Sequence, residues 1–339
     1  MIHFKRKILC MLIISIFLII SCSDSSINAP ILEKDISSDI ESILMSRINN
    51  SSMAKVKDLN PIDLKGVSSF KGINIMLKDK RTNIRLAYAE TVTKSDGSNH
   101  ASGQTIFAND RTKQLTAQWV PNDSRRNADG NNLTYIGWDI FAPANFGFPN
   151  QFDGTPAIDA SFDTWDTIKN KAKLDIIKRP NTLSNPSLIL GGDPLLADIS
   201  QIGFLPGIFF ENFVGTGSST NVLGVTFTFI FVDSEGNPTD INGDGFNDTA
   251  VKEVWYNDEF VWTDSGNTST EIDLETVALH ENGHALGFGH FGKISVTNNN
   301  KLHVSPRSVM NAIILGTQRT LLGTDKASYK SIYGNWPTD

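Results

Sequence analysis

The chain has 339 residues, 40% of them hydrophobic, which allows one core of about 200–230 residues and a smaller appendage. Its 37 acidic and 30 basic residues give a formal net charge of −7. This charge argues against nucleic acid as a partner, because phosphate binding needs a basic surface, and it fits calcium better. Two cysteines, Cys10 and Cys22, exclude a disulfide-rich scaffold.

The first 21 residues have the form of an export signal. A basic start at 5–7 precedes an apolar run at 8–20, which is too short to span a bilayer. The sequence Ile-Ile-Ser-Cys at 19–22 resembles a bacterial lipobox, in which Cys22 carries the lipid. An ordinary signal peptide with an incidental cysteine is the alternative. The lipobox predicts an outer-membrane lipoprotein, facing the periplasm or the surface, that touches the membrane only through its lipid.

Two N-terminal regions follow the signal. Residues 22–52, rich in Ser, Asn and Asp, predict a tether. Residues 53–105 contain two runs of alternating apolar residues, which predict a β-hairpin turning near Asp79–Asn83. The alternating positions are Ile73, Ile75, Leu77, Ile84, Leu86 and Tyr88. The region carries no recognisable chemistry, and we interpret it as a pro-segment or a spacer.

A larger domain is predicted at 106–339, and its first predicted helix is at 157–168. Ile158, Phe162 and Trp165 lie on one face of that helix and predict a buried side. After a loop-rich stretch, apolar residues alternate along 222–233, as expected of a strand. These residues are Val225, Phe227, Phe229 and Phe231.

An acidic segment, DINGDGFND at 240–248, matches much of an EF-hand calcium loop. The predicted calcium ligands are Asp240, Asn242, Asp244, the backbone carbonyl of Phe246, and Asp248. Val251 stands where the loop's last ligand is a glutamate, so the match is incomplete. A polar hairpin loop is the alternative, because Asp, Asn and Gly favour turns.

The most informative run is HENGHALGFGH at 280–290, which has the pattern HExxHxxGxxH. On a helix, His280 and His284 lie one turn apart on the same side, so both imidazoles can reach one metal ion. Glu281 projects about 100° around the axis from His280. We predict that its carboxylate contacts a metal-bound water and acts as the general base.

Gly287 and His290 complete this pattern. Glycine tolerates the left-handed conformation of a helix stop, so Gly287 ends the helix and lets the chain present His290 as a third ligand. Three imidazoles leave the fourth position of a tetrahedral Zn²⁺ ion open, which is typical of a catalytic site and argues against a purely structural zinc.

These residues resemble those of the metzincin zinc peptidases, and within them the matrixins, the family of the matrix metalloproteinases. Met310, twenty residues after His290, stands at the place of the Met-turn that lies beneath the imidazoles. The likeness spans about 110–335. Asn311-Ala312 replaces the tyrosine-proline of the animal enzymes, so substrate preference does not carry over. Asn282 replaces an apolar residue, and we expect it to point outward.

The matrixin resemblance implies an α+β fold. A twisted mixed sheet and two helices form the upper part, with the active-site helix along the base of the cleft. A smaller part after Gly287 holds His290, Met310 and a last helix at 325–333. In matrixins the strand bordering the cleft pairs with extended substrate. Residues 222–232 are either this edge or an interior strand.

The resemblance also implies a second calcium site and a mode of action. Asp258 and Glu259 stand where acidic residues hold structural calcium in matrixins, although solvated acids before a helix are equally common. The expected activity is zinc-dependent endopeptidase action on protein or peptide substrates by a monomer, without the cysteine latch of the animal proenzymes. The alternatives are an astacin-like or pappalysin-like metzincin, and a silent calcium- and zinc-binding lipoprotein that acts in adhesion.

Overall fold

A computed structural model describes the part of the chain that forms the sheet and its helices. The described residues are 83–94, 114–126, 131–138, 140–142, 152–168, 174–180, 184–190, 192, 196–214, 217–268, 270–296 and 302–337. The export signal with Cys22, the tether and the first arm of the expected hairpin lie outside them. No helix in the described ranges has the length and apolar character needed to cross a membrane.

Fourteen strands and five helices occur in the described residues. The strands are β1 (Asn83–Lys94), β2 (Ala117–Gln118), β3 (Leu133–Gly137), β4 (Phe141–Ala142), β5 (Phe152–Asp153), β6 (Ile176–Lys178), β7 (Ile199–Leu205), β8 (Val222–Val232), β9 (Asn247–Asn257), β10 (Trp262–Thr263), β11 (Ile272–Asp273), β12 (Lys293–Val296), β13 (Leu302–Ser305) and β14 (Ile313–Ile314). The helices are α1 (Thr155–Asp166), α2 (Gly207–Phe213), α3 (Ser218–Asn221), α4 (Leu274–Ala285) and α5 (Gly323–Tyr333).

The main sheet is mixed and has the strand order β14-β1-β8-β9-β7-β3-β6, with β2 also pairing with β9. Strand β8 runs antiparallel to both of its neighbours, β1 and β9. On the far side, β7, β3 and β6 continue the sheet in parallel with β9. Of the two positions expected for residues 222–232, the structure has the interior one, because β1 covers the outer edge of β8.

The alternation predicted along β8 separates the two faces of the sheet. Val225, Phe227, Phe229 and Phe231 all lie in one apolar cluster with Trp255, which confirms the prediction. Thr226 points to the opposite face, where its hydroxyl bonds to Glu281 in α4. Both faces are therefore covered, and all eleven residues of β8 are buried.

Helix α1 packs on α4 through the apolar face that its sequence predicts. Ile158, Phe162 and Trp165 are all buried. The Trp165 indole donates a hydrogen bond to the Leu279 carbonyl over 2.9 Å, and Phe162 stacks on Tyr135 of β3 with ring centroids 4.0 Å apart. Truncating a buried aromatic of this kind costs about 3–5 kcal/mol.

Helix α4 begins after an N-cap residue and is followed by a glycine with a positive φ. The Asp273 carboxylate accepts a hydrogen bond from the Thr276 amide at 3.0 Å, as an N-cap does. After the helix ends, Gly287 has φ +90°, and a Cβ there would lie 2.6 Å from the Gln118 side-chain oxygen. A glycine is needed at this turn for both reasons, as the sequence predicts.

The C-terminal helix α5 fixes the turn that carries Met310. Asp325, in its first turn, accepts hydrogen bonds from the backbone amides of Val309 and Leu322 and from the Ser308 hydroxyl. The helix covers the expected residues 325–333. The mixed sheet with few helices is compatible with the metzincin-like α+β fold that the sequence implies.

Candidate metal centre

Three histidines meet at the C-terminal end of α4. The Nε2 atoms of His280 and His284 lie 3.0 Å apart, and that of His290 is 3.2 Å from each. In a tetrahedral site with Zn–N distances of about 2.0–2.1 Å, ligand nitrogens are separated by about 3.3 Å. The three imidazoles are therefore arranged as the ligands of one zinc-sized ion.

Backbone carbonyls orient two of these imidazoles. Nδ1 of His280 lies 2.7 Å from the Val309 oxygen, and Nδ1 of His284 lies 2.7 Å from the Phe288 oxygen. A carbonyl only accepts, so each Nδ1 carries the proton and each Nε2 lone pair points to the centre. Burial, with the neighbouring imidazoles, lowers the pKa of both histidines well below its usual range. Both are thus neutral, as metal binding requires.

Strand β1 supplies a carboxylate beside the third imidazole. Glu90 Oε2 lies 3.4 Å from His290 Nδ1, and both side chains are largely buried. Glu90 lies within 53–105, where the sequence shows no chemistry. No local signal could have found it, because two hundred residues separate it from His290 in the chain.

Glu281 has one oxygen held and the other free. Oε2 accepts a 2.6 Å hydrogen bond from the Thr226 hydroxyl, whereas buried Oε1 has no hydrogen-bond partner of normal geometry. Burial raises the pKa of Glu281 well above its usual range, and the Thr226 hydrogen bond opposes that rise. A carboxylate oxygen without a hydrogen bond, next to three converging imidazoles, fits a zinc centre whose bound water it would contact.

Two glycines allow close approaches around this carboxylate and helix. A Cβ on Gly224 of β8 would lie 3.0 Å from Glu281 Cγ, and one on Gly283 would lie 2.2 Å from the Met310 sulfur. Met310 is 2% exposed and packs against α4 at the residue before His284. The matrixin resemblance implies that Met310 lies beneath the imidazoles; the contact with Gly283 is a structural detail that the sequence does not predict.

Asn282 does not point outward, so that prediction is wrong. The residue is fully buried. Its side-chain amide donates a 2.6 Å hydrogen bond to the Ser161 hydroxyl, and its side-chain oxygen accepts a 2.7 Å hydrogen bond from the Gln201 amide. Gln201 in turn accepts from the Tyr256 hydroxyl at 2.9 Å. Every residue of α4 except Glu275 in its first turn is buried, so a polar side chain at 282 has to find polar partners within the core.

A buried lysine, which no motif in the sequence singles out, lies next to the histidine centre. Lys252 of β9 is fully buried, and its ammonium group donates 2.7 Å to the His284 carbonyl. Burial lowers its pKa to about 7, and the Glu90 carboxylate acts in the opposite direction. Lys252 anchors the last turn of α4 to the sheet.

The acidic loop at 240–248 connects β8 to β9. Its exposed side chains form hydrogen bonds within the loop. The Asp240 carboxylate accepts hydrogen bonds from the backbone amides of Asp244 and Gly245 at 3.1 and 2.9 Å. The Asn242 side-chain amide donates a 2.8 Å hydrogen bond to the Asp244 carboxylate. The Phe246 amide donates 2.8 Å to Asp244. Three of the expected calcium ligands are thus neighbours.

Asp248 differs from those exposed ligands, although its carboxylate accepts from the Ile241 amide of the loop at 3.2 Å. It is fully buried and pairs with the Arg125 guanidinium at 2.6 Å and the Thr239 hydroxyl at 2.5 Å. Calcium at this loop stays a prediction, and a bound ion would compete with Arg125 for the Asp248 carboxylate.

Asp258 and Glu259 follow β9 and repel one another. Burial, together with the Glu259 charge, raises the pKa of Asp258 to about 6. Glu259 is exposed. Among the His, Cys, Asp and Glu side chains that the structure describes, only the three histidines bring three candidate ligand atoms within 4.8 Å of one another. Calcium at Asp258 and Glu259 also stays a prediction.

Comparison with known families connects the centre to a peptidase type. The family model described as Matrixin matches residues 238–334, which contain the three histidines, Glu281 and Met310. A search of the curated proteins finds no match.

Two solved structures are similar at low identity. One, "GM1 bound form of the ECX AB5 holotoxin", is 14% identical, with 69% of this chain and 84% of that chain covered and a TM-score of 0.27. The other, "Crystal structure of myroilysin", is 12% identical, with 68% and 98% covered and a TM-score of 0.26. Such TM-scores are too low to assign a fold. The match at 238–334 and the histidine triad support a matrixin-like metallopeptidase.

Proposed function

We propose that this chain is a zinc-dependent endopeptidase of the bacterial cell envelope, lipid-anchored through Cys22, which acts as a monomer on protein or peptide substrates. One observation carries the proposal: three imidazoles converge within 3.2 Å beside a buried glutamate with an unsatisfied oxygen. The donor set suits zinc, and three protein ligands leave one coordination position for chemistry.

Zinc, when bound, supplies a Lewis acid that polarises the substrate carbonyl and lowers the pKa of water. The remaining steps fall to residues of the chain. Glu281 Oε1 accepts the proton of the attacking water, while Thr226 holds Oε2 and fixes the orientation of the carboxylate. The water oxygen bonds to the carbonyl carbon, the C–N bond breaks, and Glu281 passes the proton to the leaving nitrogen.

The raised pKa of Glu281 suits both halves of this cycle. A carboxylate whose pKa is raised by burial takes a proton more readily than an ordinary glutamate and can return it to an amine. His280 and His284, oriented by their carbonyl partners, keep their lone pairs for the ion and take no part in proton transfer.

Replacement of the base tests the proposal. We expect Glu281→Ala to keep its zinc and its melting temperature within a few degrees, while kcat/KM on a quenched peptide falls on the order of 10³-fold. Wild-type turnover should be blocked by a hydroxamate. Glu235→Ala, an exposed loop change, is the control and should behave as wild type. Full peptidase activity in Glu281→Ala would refute the assignment of the base. A wild-type protein that binds zinc but hydrolyses no peptide would favour the silent adhesion lipoprotein.

A further inference from the structure

Strand β1 lies where an extended peptide would have to bind. Extended peptides commonly bind proteins by adding a strand to an open sheet edge. The edge nearest the metal centre belongs to β8, whose Gly224 and Thr226 contact Glu281. Residues 83–93 of β1 already pair with this edge along its length, in antiparallel register.

The middle of β1 crosses the metal centre itself. Glu90, opposite Thr226 in the ladder, places its carboxylate 3.4 Å from His290 Nδ1. Two residues on, Val92 pairs with Gly224 in the same ladder, and a Cβ on Gly224 would lie 3.0 Å from Glu281 Oε1. The backbone of 90–92 therefore occupies the space next to the general base and the third ligand.

The end of β1 is held from its other side as well. The Thr93 amide and hydroxyl donate to the Ala312 carbonyl at 3.2 and 3.3 Å, and Thr93–Lys94 pair in parallel with β14. Val92 is 0% exposed and belongs to the same apolar cluster as Leu223 and Met310. One strand thus fills a slot with a sheet edge on each side and an apolar floor.

The centre is closed while β1 is in place. His280, His284 and Glu281 are fully buried, and His290 is 7% exposed. A strand edge forms one ladder at a time, so a peptide cannot pair with β8 until β1 leaves it.

We propose that β1 is an internal occupant of the substrate cleft, and that it must leave β8 and β14 before a peptide can bind. The inference rests on the proposed function, and it assigns latency to 83–94 rather than to a cysteine. If β1 occupies the cleft 99% of the time, the apparent affinity for a peptide ligand is lowered about 100-fold.

Val92 is the residue whose change should release the strand. Val92→Asp places a carboxylate in a fully buried apolar site, which disfavours the bound strand. Ala87→Asp is the matched control. It adds the same charge to the same strand at a partly exposed position that the ladder skips between Leu86 and Tyr88. Thr93→Pro, which removes the amide bonded to Ala312, is a second releasing variant.

The test uses the zinc-loaded full chain, a fluorescent peptide hydroxamate and hydrogen exchange of 83–94. Val92→Asp and Thr93→Pro should bind the hydroxamate about 10- to 100-fold more tightly than wild type, and Ala87→Asp should match wild type. Metal-free Val92→Asp should also show faster exchange in β1 and unchanged exchange in α4. In wild type, saturating hydroxamate should speed exchange in β1.

Two results would overturn the inference. One is equal hydroxamate affinity in all four proteins, and the other is a saturated complex in which β1 stays protected; either makes β1 a permanent strand. Failure of the proposed function has a different signature: the released variants bind hydroxamate and expose β1, yet none hydrolyses a peptide. If Val92→Asp does not fold, Thr93→Pro decides the question alone.

Discussion

The histidine centre and the acidic loop at 240–248 are both predicted metal sites, yet the structure builds them differently. The helix fixes His280 and His284 one turn apart, and carbonyls orient their rings from behind. In the loop, Asp240 and Asp244 bond to loop amides, while Asp248 pairs with Arg125. Spacing on a rigid helix specifies a ligand set, whereas spacing in a loop leaves each carboxylate free to find another partner.

The largest expected effect is a loss of zinc affinity when the histidine centre is changed, compared with no loss when the acidic loop is changed. We expect His284→Ala to lower zinc affinity by at least about 100-fold, because only two imidazoles remain to hold the ion. Asp244→Ala should bind zinc as wild type does. Zinc titration followed by elemental analysis checks both variants. Equal zinc affinity in the two would mean that the triad is not the metal site.

A second prediction concerns the packing that makes the helix rigid. Met310→Ala leaves a cavity beside Gly283 and should cost about 2–5 kcal/mol of unfolding free energy. Gly283→Ala should cost about 1–3 kcal/mol, because its Cβ meets the Met310 sulfur. Urea unfolding measures both.

The double variant Gly283→Ala/Met310→Ala sharpens this test. If the two side chains compete for one space, the double variant is more stable than the sum of the single losses implies. Gly243→Ala in the acidic loop is the contrast. Its φ is +68° with open space around it, so its cost of about 1 kcal/mol comes from backbone strain alone. Additive losses at 283 and 310 would show that the contact is loose.

Calcium binding at the loop gives a smaller effect. If calcium binds there, millimolar calcium raises the melting temperature of EDTA-treated protein by a few degrees, and Asp240→Ala removes that shift. Glu235→Ala, in the same connection between β8 and β9, should keep it. A melting temperature unchanged by calcium in wild type would leave the loop as a polar hairpin.

The smallest expected effect is a pH dependence at Asp258. Its folded pKa of about 6 lies above the unfolded value of about 3.9, so its contribution to stability is present below pH 4 and lost as pH rises through 6. Asp258→Asn should therefore gain about 1 kcal/mol relative to wild type between pH 4 and 7, after allowance for partial exposure. Unfolding curves at both pH values measure this. Calcium held by Asp258 and Glu259 would reverse the sign at pH 7.

The sequence predicts what is encoded by local periodicity. The buried face of α1, the alternation along β8, the stop at Gly287 and the helix at 325–333 each depend on residues a few positions apart, and each is confirmed. The prediction for Asn282 is wrong because it assumes an exposed side of α4. Only Glu275 in its first turn reaches solvent, and the partners of Asn282 are Ser161 and Gln201, far away in the chain.

The contacts of β1 could not be predicted from the sequence either, because their partners are also distant in the chain. Glu90 meets His290, and Thr93 meets Ala312, only after the sheet has brought distant segments together. A run of alternating residues predicts a strand but does not specify its neighbour, because pairing depends on the whole sheet. Spacing therefore predicted the three histidines that the structure brings together and missed the strand that covers them.

Lys252 has a consequence for chemical footprinting. Its amine is sealed in the core against the His284 carbonyl, so an acylating reagent reaches it only when β9 and α4 separate. Opening also removes the burial that lowers its pKa, so the exposed amine reacts as an ordinary lysine does and its slow labelling measures the opening step alone. Mass spectrometry of the labelled peptide would thus report the opening free energy of the core at one residue, without denaturant and without any signal from surface lysines.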